Sequence, residues 1–155
     1  MEPDRISKVS PRIIWITWGF HFGTVDQANR RAKKSKNGIN LIPVYLRITN
    51  PLRSTDAGDW GNPWQAWDTL FKATKGAIGE DLYAKMIDSE HISKPERIAM
   101  LMDKLKSLGY DGIVYKNRIE GKGDSYIVLS PTQIKSIYNS GSFEPTNPNI
   151  SEGID

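Results

Sequence analysis

A chain of 155 residues, 38% hydrophobic and 25% charged, has the composition of one soluble domain able to bury a core without disulfides or metal. The absence of cysteine excludes disulfides, thiolate metal sites and a cysteine nucleophile, and His21 and His91 alone do not make a structural zinc site. A formal charge of +3 and a pI near 9.1 favour anionic partners but fall short of a nucleic-acid-binding signature. No apolar run approaches the roughly 20 residues of a membrane helix, and residues 1–12 are too polar for a secretory signal. A cytoplasmic protein without membrane contact is therefore expected.

Residues 13–18 (IIWITW), β-branched and aromatic, predict a strand ending at Gly19. Thr24-x-x-Gln27 has the spacing of a capping box and predicts a helix from Thr24 to about Lys36. That helix carries Arg30, Arg31, Lys33, Lys34 and Lys36. Such cations can bind phosphate, yet near a C-terminus they also offset the helix dipole, and a solvated face is their commoner meaning. Residues 41–48 (LIPVYLRI) read as a second strand, with Pro43 marking an edge or an irregular entry, and Asn50-Pro51 ends it.

Residues 53–62 are polar and turn-rich, after which Asn62 as N-cap and Pro63 at the first helical position open a helix with Trp64, Trp67 and Phe71 on one face. That stripe reads as core packing. Trp60 sits in a Gly/Asp loop, where it can cover a planar ligand or, more commonly, pack onto the domain. A short amphipathic segment covers residues 80–87. Ser93-x-x-Glu96 with Pro95 then opens the most regular helix, with Ile98, Leu101, Met102, Leu105 and Leu108 facing a core and Gly109 as its stop.

This helix leads into residues 109–136, around which the rest is organised. Tyr110, Ile113, Val114 and Tyr115 form one β-rich run, and Tyr126, Ile127, Val128 and Leu129 form another. Gly121, Gly123 and Asp124 lie between them as turn formers. Glu120 and Asp124 are the carboxylates flanked by strand on both sides, so chemistry is expected at this turn. A last strand is expected over residues 133–138. Residues 1–140 read as a single domain and 141–155 as a polar, loosely held tail. Strands separated by several helices, then strands in succession, predict an α+β fold rather than an alternating parallel one.

Dinucleotide-fold, P-loop, zincin and α/β-hydrolase motifs are all missing. His21, Thr24, Tyr45, Glu120, Asp124, Ser125 and Tyr126 remain as a small polar set, each with an ordinary structural alternative.

Four motifs change the weights: G-F-H-F-G-T-x-x-x-A-x-x-R, P-V-Y-L-R-I-x-N-P-L-R, G-Y-D-G-I-V-Y-x-N-x-x-E-G and D-S-Y-I-V-L-x-P-x-Q-I-K-S. As a set, over residues 19–150, they resemble the ADP-ribosyltransferase-like domains of polyvalent proteins of phages and other mobile elements. The resemblance implies a split, strongly bent β-structure with surrounding helices and a cleft for NAD. The run S-Y-I-V-L-S is also similar to the strand of poly-ADP-ribose polymerases that begins with their catalytic glutamate. Here Ser125 stands in that place, so a catalytic carboxylate is Glu120 or Asp124. Related domains carry an H-G-[TS] strand before a glycine-aromatic segment, and this chain has one such segment, His21 to Thr24. Either His21 grips the NAD ribose, or it belongs to the second motif and residues 13–18 form a purely structural strand.

By this analogy Glu120 is the carboxylate, with His21 beside it. Tyr45 or Tyr126 stacks on nicotinamide, Arg30 or Arg31 meets the pyrophosphate, and Thr24 and Ser125 line the cofactor site. The function implied is an NAD-dependent mono-ADP-ribosyltransferase acting on a host protein or nucleic acid, with neither metal nor membrane involved. The alternative is a catalytically inactive relative that binds and inhibits a host protein or nucleic-acid complex.

Overall fold

The computed structural model describes residues 15–16, 20–34, 44–88, 90–119, 121–136 and Thr146. The first described elements are two short strands, β1 (Trp15–Ile16) and β2 (Phe20–Phe22), followed by helix α1 (Val25–Lys34). Strands β3 (Val44–Leu46) and β4 (Pro51–Ser54) precede three helices, α2 (Pro63–Ala73), α3 (Glu80–Asp88) and α4 (Lys94–Ser107). The chain then returns through β5 (Gly112–Lys116), β6 (Asp124–Val128), a single 3₁₀ turn (Pro131–Gln133) and β7 (Ile134–Ser136). A five-stranded sheet has the order β1-β2-β6-β5-β4, and β3 pairs with β7 in a separate two-stranded sheet. The α+β class expected from the sequence is the one observed, with the split β-structure.

Local chemistry explains where the helices begin. The Asn62 side chain accepts from the Trp64 and Gln65 N–H groups, with Pro63 at the first helical position of α2. Ser93 and Glu96 form a reciprocal capping box on α4: Glu96 Oε2 accepts the Ser93 N–H at 2.7 Å while Ser93 Oγ accepts the Glu96 N–H. At the far end of α4, Gly109 takes φ +91°. The Tyr110 N–H then reaches back to Leu105 O and the Gly109 N–H to Lys106 O, a Schellman closure that a side chain at Gly109 would strain. Asp111 follows at once and accepts from the Thr49 and Asn50 N–H groups at 2.7 and 2.9 Å, which locks the start of β5 beside the start of β4.

Two cores lie on opposite faces of the larger sheet. On one face Ile98, Leu101 and Leu105 of α4, with Ala66 and Leu70 of α2 and Leu82 and Met86 of α3, pack against Leu52, Ile113 and Ile127. Those last three stand side by side, since Leu52 is in register with Ile113 and Ile113 with Ile127. Burying each aliphatic side chain contributes about 1.5–3 kcal/mol. On the other face Phe22 and Val128 meet Val44, Leu46 and Ile134 of the small sheet.

Several details differ from the sequence reading, each for a physical reason. Pro51 does not end a strand but begins one: β4 lies at the edge of the sheet, parallel to β5, where a missing N–H costs no ladder bond. The three intervening helices supply the long crossover that a parallel pair needs. The Trp64, Trp67 and Phe71 stripe flanks the core rather than filling it; Trp67 and Phe71 stack at 4.7 Å and Trp67 meets Tyr83 of α3 at 4.6 Å, while Trp64 is exposed. The small residues Ala66 and Thr69, with Leu70, face inward because α2 approaches the sheet closely. Leu108, read as a core position, is the C-cap of α4 and only half-buried. Trp60 packs onto the domain, its ring 5.1 Å from Tyr115, with its buried Nε1 lacking a hydrogen-bond partner. The final strand starts one residue later than expected because Gln133 belongs to the 3₁₀ turn. Residues 13–14, 17–19, Lys36, residues 41–43 and Tyr138 lie outside the described residues, as does the tail 141–155 apart from Thr146.

Candidate functional site

The hairpin loop between β5 and β6 is the centre of the polar chemistry. Its two strands are in register from Gly112↔Val128 to Lys116↔Asp124, so the loop spans residues 117–123 and Asp124 is the first residue of a strand. Asp124, read from sequence as turn chemistry, instead stands opposite Lys116, their charged groups 3.9 Å apart at an exposed position. Such a pair contributes little.

Gln27, in the first turn of α1, holds the second leg of this loop. It is 2% exposed and uses both ends of its amide. Nε2 donates to Gly121 O at 3.2 Å and to Gly123 O at 3.3 Å, while Oε1 accepts the Thr24 N–H at 2.8 Å and the Ser125 hydroxyl at 3.2 Å. Thr24 Oγ1 accepts the Gln27 N–H in return, which completes the expected capping box and starts the helix. The same glutamine therefore both caps α1 and ties α1 to the loop. Glycine is needed where they touch: Gly123 has φ +117°, and a Cβ there would stand 2.8 Å from Thr24 Cγ2.

Asn117 and Asp56 hold the first leg. Asn117 Nδ2 donates to Ser125 Oγ at 3.0 Å, and Asn117 Oδ1 accepts the Ile119 N–H at 2.9 Å. Asp56, buried after β4, accepts the Arg118 N–H at 3.0 Å through Oδ2 and the Gly58 N–H at 2.9 Å through Oδ1. The loop is thus held on either side of Glu120, which itself lies outside the described residues.

The expected site residues divide by place. Thr24 and Ser125 meet through Gln27, and Arg30, one turn along α1, reaches the loop: a Cβ on Gly121 would lie 3.5 Å from Arg30 Cζ. His21 is in register with Ile127, and Ser125 lies two residues from Ile127, so His21 and Ser125 share one face of adjacent strands. Ser125 is buried, with its hydroxyl engaged by Gln27 and Asn117. Tyr126 projects from the opposite face and packs against the second core. Tyr45 is further away, on the small sheet opposite Lys135, between the inward-facing Val44 and Leu46. Gln27, Asn117 and Asp56 were not singled out for this loop from sequence; the T-x-x-Q spacing and the asparagine of Y-K-N-x-x-E were the only signals available for the first two, and none marked Asp56.

Among the described residues, no group of three or more His, Cys, Asp or Glu side chains is placed to hold a metal ion, and no helix is long and apolar enough to cross a membrane. No curated protein and no solved structure matches the chain. Residues 4–143, nearly the whole chain, match the family described as ADP-ribosyltransferase in polyvalent proteins, and the chain belongs to that family.

Proposed function

We propose that the chain is an NAD-dependent mono-ADP-ribosyltransferase of phage or mobile-element origin that modifies a macromolecule of a bacterial host. Family membership over residues 4–143 is the observation that carries this reading. The residues at the loop suit a dinucleotide: the exposed Arg30 guanidinium lies against Gly121, whose lack of a side chain leaves that cation open to a pyrophosphate. NAD supplies a ribose carbon whose bond to nicotinamide breaks; the electron pair leaves with nicotinamide, a target nucleophile takes the carbon, and its proton passes to solvent.

The residues of the chain orient and stabilise. Glu120 is the carboxylate in this reading, offsetting positive charge on the ribose and accepting a hydrogen bond from its 2′-hydroxyl. His21 contacts the ribose, and Thr24 and the 121–123 backbone form the wall of the cofactor site. Hydrogen bonds hold the residues on both flanks of position 120, which supports a loop that needs little reorganisation to take a ligand.

Substituting Glu120→Gln retains size and removes charge. NAD binding by calorimetry is expected to survive, while nicotinamide release falls about a hundredfold, or about 3 kcal/mol of transition-state stabilisation. Asp124→Asn is expected to do less, and His21→Ala separates a ribose contact from a structural histidine. Equal rates for wild type and E120Q would remove Glu120 from the mechanism. One observation favours a second reading, a catalytically inactive relative that binds and inhibits a host complex: Ser125, where the polymerase strand carries glutamate, is buried and committed to Gln27 and Asn117. Absence of NAD binding by wild type would select that reading.

A further inference from the structure

The charge of this chain is segregated. Residues 24–34 and 116–124 carry seven of the 21 Lys and Arg and only three of the 18 Asp and Glu, a net +4 that leaves the rest of the chain at −1. These segments are distant in sequence, and the fold brings them together through the Gln27 bonds to Gly121 and Gly123. The contact also sets the orientation of α1. Positions 27, 30, 31 and 34 recur at helical spacing, so the row that begins at the loop with Gln27 continues as Arg30, Arg31 and Lys34 over about 10 Å of helix. Lys33 lies beside that row. Lys116, Arg118 and Lys122 add three cations on the loop and the strand before it, Arg118 also donating through its guanidinium to Asp56 O at 3.3 Å, and all seven cations are exposed.

We infer that this surface, apart from the Arg30 guanidinium that the transferase reading gives to the pyrophosphate, holds the phosphate backbone of a nucleic acid, and that a nucleic acid is the macromolecule presented to the site. The inference rests on the transferase reading for what happens at the site, but not for the binding itself. A strip of like charge beside a turn matches a ligand that is itself a regular line of charge. An acidic protein is the poorer fit, because protein interfaces rely on a buried apolar and aromatic centre. The large apolar side chains exposed on these two segments are Val25 and Ile119, with no aromatic among them. A single nucleic-acid strand has bases free to present a nucleophile, whereas a duplex keeps them stacked.

The test is fluorescence anisotropy of labelled oligothymidine with the full chain, without NAD, across about 50–200 mM salt. Wild type is expected to bind with a log–log salt slope of about −3, the value for about four neutralised phosphates on a single strand. K33A/K34A/K122A is expected to weaken binding about tenfold and flatten the slope, while K72A/K75A/K106A, removing as many charges from α2, the turn after it and α4, changes neither. Three results would overturn the inference: no binding by wild type at the lowest salt, equal weakening in both triple variants, or tighter binding of polyglutamate than of oligothymidine. Nicotinamide release without any target keeps the two proposals apart. Release without oligothymidine binding defeats this inference and leaves the transferase reading standing; binding without release does the reverse.

Discussion

Helices α2 and α4 meet the sheet through side chains that carry no polar atom, Ala66, Leu70, Ile98, Leu101 and Leu105 against Ile113 and Ile127. Helix α1 meets the same hairpin at its other end through amide and hydroxyl groups, Gln27 and Thr24 against Gly121, Gly123 and Ser125. Apolar contact is non-directional and tolerates small shifts, so it sets how firmly the hairpin is held. Hydrogen bonds are directional, so they set where the loop stands. The division places strength and geometry in different residues, and it can be broken from either side.

The largest effect on stability is expected from the apolar side. Leu101 is fully buried in the core shared by the helices and the sheet, and Leu101→Ala removes contacts that a rigid sheet cannot move in to replace. A loss of about 2–5 kcal/mol is expected in urea unfolding, with the midpoint falling and the slope unchanged. A loss below about 1 kcal/mol would show that this face is loosely packed and would remove one half of the comparison.

An intermediate effect, and a local one, is expected from Gln27. Gln27→Ala deprives Gly121 O, Gly123 O, the Thr24 N–H and the Ser125 hydroxyl of a partner at one stroke. Each such group costs about 1–3 kcal/mol if it stays dry. The loop lies at the surface, however, and can open to water, so a global loss nearer 1–2 kcal/mol is expected. Hydrogen exchange should quicken at residues 118–124 and remain unchanged in α4, while nicotinamide release falls. Gln27→Glu should be worse than Gln27→Ala, since it aims a carboxylate at two carbonyl oxygens. Uniform acceleration of exchange across both regions would mean that the polar contacts carry stability as well as position.

The same division decides what the sequence made legible. Capping boxes at Thr24 and Ser93, the Asn62-Pro63 start of α2 and the Gly109 stop of α4 act within a few residues, and each was readable as a local pattern. The period of Ile98, Leu101, Met102 and Leu105 named the inward face of α4 correctly, because apolar periodicity reports burial whatever the partner. The aromatic stripe of α2 misled, since Trp67 and Phe71 fill the space beside α3 while smaller residues take the closest approach. Strand β4 was missed because proline usually ends a strand and only a neighbour in space makes it an edge.

Partners of the loop were illegible for a different reason. Gln27 is separated from Gly121, Gly123 and Ser125 by 94, 96 and 98 residues, and Asp56 from Arg118 by 62. No period or cap in one sequence encodes such pairings. The cations of α1 belong to the same class: as a lone helix they read as a solvated face, and only the contact with the loop joins them to Lys116, Arg118 and Lys122. Motif resemblance reached the family without any of these contacts, because it compares patterns rather than forces.

The smallest effect sharpens the comparison, because it concerns a polar device on the apolar side. Glu96 accepts from the Ser93 hydroxyl and the Ser93 N–H, both at 2.7 Å, and these bonds hold its carboxyl below the usual range against a smaller opposing cost of desolvation, with the charge of Arg97 the least of the contributions. A carboxylate whose folded pKa is depressed adds stability above its unfolded pKa, about 4.3 for glutamate, and loses it as pH falls through the lower folded value. Wild type should therefore be more stable than E96Q at neutral pH, with the difference shrinking below about pH 4.3 and vanishing once the folded carboxyl is protonated. Thermal midpoints of the two proteins across that range make the measurement. The gap should be slight, since the side chain is exposed and its bonds compete with water. It should also leave loop exchange at residues 118–124 untouched, because this cap reaches only three residues along the chain, whereas the Gln27 cap extends to the loop. A difference between wild type and E96Q that is constant across pH would mean that the Ser93 bonds favour the protonated and the ionised carboxyl equally, so that the folded pKa is not depressed.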